Sequence, residues 1–413
     1  MENLESCREF KSRNKILIII SSWPSKEHPY LVYLFSGLKE CFPSIRLFLF
    51  KRVDTQVADK LIGVERTRQV LEGALYRFAF TSNPFKYFAP LLKIASHPLE
   101  AIRIYNSCLA NGLSKKKAIG QLLYGYQIIG KTFDLVYINA LQTGRHFAIS
   151  SIFPNSTIIA SSRGQDFDWN PERYDSLLSK LDYLHALGTH LQNRAMERKF
   201  PIERITIIPP AALPTSNSIN SKIVHEANTI QIVTAARLIW TKGYVYSLRA
   251  ISLLKEMLPL LKIRYNILGD GADLELLKFE INRLGLEEEV VLRGWVTQTE
   301  VNECISSSDI YLLLSIEEGF NNSVMQAQSL GLPCVVSDAG GLPDNVLNEV
   351  TGFVVPRYNA RMAADRLYQL TVAKEKREEM GQNARRRMTQ DFNLTIQIKK
   401  YSTLFKKALK VIE

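Results

Sequence analysis

The sequence predicts an α/β protein built from two open parallel sheets with a cleft between them. Three observations predict it. Short runs rich in Ile, Val and Leu recur in both halves, each bounded by turn or helix signals, as in parallel βα units. The 413 residues are too many for one ordinary core and suit two domains of about 200 each. A polar, proline-bearing stretch, "ITIIPPAALPTSNSINSK", separates the two series, which makes 209–226 the natural linker.

The elements follow in order. Residues 15–20 ("KILIII") and 46–50 ("RLFLF") read as strands bracketing a helix from about Pro29 to Cys41. "DLVYIN" at 134–139 and "TIIAS" at 157–161 continue the first sheet. Beyond the linker, "IQIVTAARL" is a strand followed by a helix through "SLRAISLLKEM". "IRYNILGDG" is the next strand, with a helix through "LELLKFEINRLG". "VVLRGWV", "DIYLLLS" and "CVVSDAG" supply three more, separated by helical segments. In such sheets ligands sit beyond the carboxyl ends of the strands.

Composition narrows the class. Hydrophobic content of 46% and charge of 23% are those of a soluble globular protein. No apolar run approaches the roughly 18 residues of a spanning helix. The early "KILIII" reads as a buried strand rather than a signal peptide. Cys7, Cys41, Cys108, Cys304 and Cys334 lie far apart without a CxxC pair, which argues against a disulfide framework or zinc site and fits a reducing cytosol. The net charge of +11 suits anionic lipid, phosphorylated small molecules or simply a solvated basic surface. Nucleic acid is the weakest of the partners, because no binding motif or alternating basic–aromatic pattern is present.

The loops at the strand ends carry the chemistry. Arg237 and Lys242 flank a strand-to-helix turn, a place for a dianionic phosphate group, although two surface cations would show the same spacing. Gly269-Asp270-Gly271 is a tight turn that lets a backbone approach closely, but G-x-G opens many βα loops. In "EEGFNNSVMQAQSLGLPCVVSDAGG", a helix beginning at Asn321–Asn322 would be capped by an Asn side chain and leave free N–H groups. Glu318 precedes that helix and Gln326 leans back toward its start. A carboxylate and an amide beside a phosphate-friendly helix end suit a nucleotide sugar; Glu318 as a solvated acid on the helix dipole is the plain alternative.

These residues resemble the retaining family 4 glycosyltransferases of the GT-B fold. The family signature E-G-F-G-x-x-x-x-E-A-x-x-x-G-x-P-V-V-(A/S)-(S/T)-D-x-G-G stands here as Glu318-Gly319-Phe320-Asn321, Gln326-Ala327, Gly331-Leu332-Pro333, Ser337-Asp338 and Gly340-Gly341. "ARLIWTKG" resembles the family's R-x4-K-G diphosphate loop, and "LGDG", "VVLRGWV", "SSSDIYLLLS" and "TGFVVP" follow in family order. The match covers roughly 230–395. In the first half, "SSWPSKEHP" resembles exopolysaccharide-type members, with Val32 where they carry Gly, and "SSRGQDFDW" resembles an acceptor-side R/H-G-x-D element. "PPAAL" replaces the usual Pro-Gly-Val-Asp, and the tail resembles a closing helix that crosses back to the first domain.

The resemblance implies an acceptor-binding Rossmann-like domain over 1–213, joined by a crossing helix over 395–413, and a nucleotide-sugar-binding domain over 214–394. It implies a hexosyl or other glycosyl transferase that moves a sugar from a UDP- or GDP-sugar to a hydroxyl with retained configuration, without a metal or other cofactor. Arg237 and Lys242 would offset the diphosphate charge with backbone N–H groups of Phe320 to Asn322. Glu318 would take donor-sugar hydroxyls. Gly269, Asp270, Gly271, Gly319, Phe320, Asn321, Asn322 and Gln326 would hold the donor, with Val296 at the base. Asp166 would position or deprotonate the acceptor hydroxyl beside Arg163 and Gly164. Arg163 stands where many relatives have His, and an Arg cannot be a general base at neutral pH, so it would clamp an anion. The D-x-D look of residues 166–168 is discounted as a metal motif because its context is wrong. Gln326 replaces the usual Glu, which would weaken ribose binding by about 1 kcal/mol.

Two functions remain open at this level. One is a cytoplasmic glycosyltransferase of cell-surface polysaccharide, capsule or lipopolysaccharide synthesis, acting on a glycan or lipid-linked glycan. It would sit peripherally at the inner face of the membrane, because residues 75–131 mix Tyr76, Phe78, Phe80, Phe85, Tyr87 and Phe88 with Arg77, Lys86, Lys93 and Lys115–Lys117. An ordinary helical insertion covering the sheet would look the same. The other is a catalytically degenerate scaffold subunit, favoured by Gln326, Val32 and "PPAAL" and opposed by intact Arg237, Lys242 and Glu318.

Overall fold

Strands covered on both faces read as unbroken apolar runs, and β1 (Ile16–Ile20) is buried at every position. The computed structural model describes residues 14–21, 30–50, 55–76, 83–144, 149–164, 166–167, 170–212 and 228–410. Arg77, Phe78, Phe80, Asp168, most of "SSWPSKEHP" and the centre of the linker lie outside those residues. The chain divides into unit 1, comprising residues up to 187, 192–208 and 394 onward, and unit 2, comprising 188–191 and 209–393.

In unit 1, β1 is joined by β2 (Arg46–Leu49), β3 (Leu75–Tyr76), β4 (Leu135–Ile138), β5 (Thr157–Ser162), β6 (Tyr183–Ala186) and β7 (Ile205–Ile207). The spatial order is β3-β2-β1-β4-β5-β6-β7, with every pairing parallel. In unit 2, β8 (Thr229–Ala235), β9 (Lys262–Leu268), β10 (Val290–Gly294), β11 (Ile310–Leu313), β12 (Cys334–Ser337) and β13 (Gly352–Val355) lie in the order β10-β9-β8-β11-β12-β13, again all parallel. Each sheet is doubly wound. The strand order reverses between β1 and β4 and between β8 and β11, and a crevice opens where the neighbouring loops diverge.

The last helix, Leu394–Ala408, returns to unit 1, as the resemblance implies, and buries Ile398, Tyr401, Leu404 and Phe405 in its core. Gly37 makes room for it: a Cβ there would lie 2.2 Å from Ile398 Cδ1. His185 fastens the same helix from inside the sheet. Its Nε2 bonds the Ile208 carbonyl at 2.7 Å, and its Nδ1 faces the hydroxyls of Tyr137 at 3.0 Å and Tyr401 at 3.3 Å. Burial pushes the imidazole down to about 3, so it stays neutral at physiological pH.

Between β3 and β4 the chain inserts helices Phe88–Ala95, Pro98–Ala110 and Lys115–Tyr124. They do not bury their apolar residues fully. Phe85, Phe88, Leu91, Leu92, Leu99, Ile102 and Ile119 are each at least 50% exposed. Lys115–Lys117 are exposed beside them. No described helix is long and apolar enough to cross a membrane.

Candidate functional site

The site is assembled at the β8/β11 reversal of unit 2. The loop after β8 carries Arg237 and Lys242, and the loop after β11 carries Ser315, Glu318 and Asn321. The two loops are laced together: the amide of Ile316 donates to Thr241 O at 2.8 Å. Gly243, at φ 63, brings the next helix against β11, and a Cβ there would lie 1.9 Å from the Leu314 carbonyl oxygen.

Lys242 and Glu318, 76 positions apart in sequence, form an ion pair with side chains only 11% and 13% exposed. The contact is made by one carboxylate oxygen, Oε2. That oxygen also accepts from Asn321 Nδ2 at 3.0 Å and from Ser315 Oγ at 3.4 Å. Oε1 has no partner among the described residues. Arg237 is exposed, and its guanidinium has no partner among the described residues. Hence the two expected diphosphate cations differ. One is free; the other is already neutralised by the expected sugar-binding carboxylate.

Asn321 caps the helix Asn322–Ser329, its Oδ1 accepting from Val324 N at 2.8 Å. Its own N–H donates to Asn345 Oδ1 at 2.9 Å, so that amide, expected to face a ligand, is used internally. Asn345 Nδ2 returns a bond to Asn321 O at 3.2 Å. Asn345 is 0% exposed and is held in turn by Gln328 Nε2 and Arg387 on its carbonyl. Asn345 and Arg387 are the residues that sequence reasoning missed. The only available signal was an Asn four residues beyond the Gly-Gly pair. The Phe320 ring packs on Phe392 at 6.0 Å within a cluster with Met325 and Met388. Gly319 is buried and Asn322 exposed.

The remaining donor-side residues are placed as follows. Gly269 and Gly271 press on the first loop: a Cβ would meet Ala236 O at 2.0 Å and Leu238 O at 2.3 Å. Their smallness therefore serves the Arg237 loop itself. Asp270 accepts from Gly271 N at 2.8 Å. Gln326 is half-buried, with Nε2 donating to Asn302 Oδ1 on the helix Gln298–Ser306. Val296 lines a groove of about 470 Å³ with Asn266, Arg293 and Cys304.

In unit 1, Arg163 and Asp166 follow β5. Arg163 donates through Nε to Asn139 O at 2.6 Å and through Nη2 to Asn139 Oδ1 at 2.9 Å. Gly164 adopts φ 55 in open space. Asp166 is 8% exposed, with one oxygen accepting from Arg163 N at 2.7 Å and the other from Tyr174 OH at 3.0 Å. Both oxygens are thus committed to the loop, which corrects the expectation of a carboxylate open to an incoming hydroxyl. These two bonds favour the ionised form, yet burial outweighs them and raises the group to about 6.

That raised value has a measurable sign. The folded protein keeps the Asp166 proton up to about pH 6, whereas the unfolded chain loses it near pH 3.8, so this group's contribution to stability falls as pH rises through that window. Asp166→Asn removes this pH-dependent contribution. Across the window, wild type should lose about 2–3 kcal/mol of unfolding free energy relative to the variant in urea titrations. Parallel pH profiles would refute the assignment.

Among the described residues, no group of three His, Cys, Asp or Glu side chains is placed to hold a metal ion.

Two doubly wound parallel units, with a cation, carboxylate and amide gathered at the strand reversal of the second, give the GT-B fold. Residues 216–387 match the family described as glycosyl transferases group 1. The putative colanic acid biosynthesis glycosyltransferase WcaL of Escherichia coli (strain K12) is 28% identical over 252 residues, 59% of this chain and 61% of that protein. A UDP-Gal:alpha-D-GlcNAc-diphosphoundecaprenol alpha-1,3-galactosyltransferase of Escherichia coli is 29% identical over 140 residues, 34% of this chain and 35% of that one. Neither match spans two thirds of the relative. The crystal structure of Anabaena HepE in complex with UDP superposes at a TM-score of 0.68, with 18% identity, over 95% of this chain and all of that one. That likeness is one of fold.

Proposed function

We propose that the chain transfers a sugar from a UDP- or GDP-sugar to a hydroxyl of a glycan acceptor, with retained configuration and without a metal. The observation that carries this reading is Glu318, anchored through Oε2 by Lys242, Asn321 and Ser315 with Oε1 left over. The physical difficulty of the reaction is negative charge growing on the departing diphosphate. Fixed cations offset such charge best where water is scarce. Arg237 meets the diphosphate first, and Lys242 turns from Glu318 to the phosphate oxygens as charge builds. Glu318, released from its partner, then takes sugar hydroxyls and favours positive charge at the anomeric carbon. The first-turn N–H groups of Asn322 and Ser323 have no intrahelical acceptor and supplement the cations. Arg163 and Gly164 serve the acceptor side, with Asp166 as the residue that positions their loop.

One relative is named for colanic acid biosynthesis and another for a diphosphoundecaprenol acceptor, which supports a product in polysaccharide synthesis and a lipid-linked acceptor here. The exposed apolar and basic residues of the helices between β3 and β4 suit peripheral contact with an anionic membrane at its cytoplasmic face.

The test is donor consumption across UDP- and GDP-sugars with a lipid-linked acceptor fraction, with and without a chelator. One donor should be consumed, chelator should not change the rate, and NMR of the product should show the donor's anomeric configuration. Chelator-sensitive turnover or an inverted product would overturn the proposal. Within the same assay, Gln326→Glu should tighten nucleotide binding by about 1 kcal/mol or leave it unchanged, since the Asn302 amide can flip to donate to the new carboxylate. A dead variant would mean that Gln326 is misplaced.

A further inference from the structure

The geometry points to a second anion site, a cationic pocket at the amino end of the unit 1 sheet that takes a phosphate-bearing ligand. It does not rest on the transfer reaction and shares no residue with the site described above. Lys15 precedes β1, Arg46 opens β2, and Lys131 to Phe133 lead into β4. With Lys39 and Glu72 these residues line a cavity of about 460 Å³. That volume falls within the roughly 300–1,000 Å³ usual for small-molecule sites. The Arg163 loop lies at the carboxyl ends of the same strands, a strand's length away, roughly 15 Å at about 3.3 Å per residue.

Charge identifies the ligand. The lining carries four cations, Lys15, Lys39, Arg46 and Lys131, against one carboxylate, Glu72, a balance of +3. Asp134 lies close by, but it accepts the Lys15 backbone N–H at 2.6 Å. The Lys15 ammonium and the Arg46 guanidinium have no partner among the described residues. The Lys39 and Lys131 ammonium groups donate to the carbonyls of Ile45 at 2.7 Å and Gln127 at 2.8 Å. Burial lowers the pKa of both ammonium groups, and the nearby Arg46 lowers both further. Like charges gathered in this way repel, so an entering anion relieves the pocket as well as binding to it. Two unpaired donors and two partly desolvated ammonium groups match the several acceptor oxygens of a phosphate or diphosphate. The phosphate could arrive free, on a small metabolite, or on a lipid headgroup.

The experiment uses the full chain carrying Arg237→Ala, so that the reversal-point loops do not compete. Inorganic pyrophosphate is titrated by calorimetry, and in a second arm phosphatidylcholine vesicles with and without phosphatidylglycerol are co-sedimented. Lys15→Gln/Arg46→Gln changes two exposed side chains and leaves the sheet hydrogen bonds intact, which thermal unfolding verifies. We expect pyrophosphate binding to weaken at least about tenfold in the double variant. If pyrophosphate fails but phosphatidylglycerol-dependent sedimentation is lost in the variant, the phosphate is a headgroup and the site stands. If neither probe responds to the double substitution, the pocket is a solvated basic surface and the inference is overturned. Sugar transfer by the otherwise wild-type Lys15→Gln/Arg46→Gln enzyme is measured separately, so the two proposals fail independently.

Discussion

Lys242→Ala should lower kcat about 100- to 1,000-fold while leaving donor KM within a few-fold, because the cation matters most when the diphosphate departs. The same substitution leaves Glu318 partly buried beside Asn321 and Ser315 without its counter-charge, so the melting temperature should also fall. Glu318→Ala should abolish measurable transfer and leave Lys242 unpaired. The two side chains are one unit, and the double variant should be no slower than the worse single one. Single-turnover donor consumption with thermal unfolding decides the matter. A folded Lys242→Ala enzyme turning over within about threefold of wild type would remove the cation from the mechanism.

Gly341→Ala should be the most damaging single-methyl change in unit 2. Its Cβ would lie 1.6 Å from the Gly319 carbonyl oxygen, and at Gly340 a Cβ would lie 1.9 Å from the Glu318 oxygen. Backbone, not a mobile side chain, is in the way, so the Glu318–Phe320 loop must move. Displacing a catalytic group by about 1 Å costs on the order of 100-fold in rate, and the overpacking costs about 1–3 kcal/mol of stability. Gly285→Ala is the control. It sits at φ 61 with nothing within 4 Å of its Cβ, so only the left-handed backbone penalty of about 1–2 kcal/mol applies. Equal activity of Gly341→Ala and Gly285→Ala would show that the Gly-Gly pair does not shape the site.

Several parts of this site were legible in order along the chain. Arg237, Lys242 and Glu318 stand in loops that follow apolar strands, and strand ends are where doubly wound sheets gather ligands. The Asn321 cap was legible because a side-chain amide before a helix has one obvious use. The occupancy of these groups was not. Nothing in the spacing shows that Glu318 spends one oxygen on Lys242, or that the Asn321 N–H goes to Asn345 rather than to a ligand. Asp166 was misjudged for a related reason: its burial is not visible along the chain, and burial outweighs the bonds from Arg163 N and Tyr174 OH.

The sequence by itself determined two α/β halves and the loops that bear charge, because hydrophobic periodicity and turn chemistry act between near neighbours. Tertiary structure alone decided which charges meet. Lys242 and Glu318 come from strands that pair only after the sheet reverses, and Lys15, Lys39, Arg46 and Lys131 converge only when three parallel strands align their amino ends. Electrostatic energy depends on distance through space and on the water excluded there, and neither quantity is written along the chain.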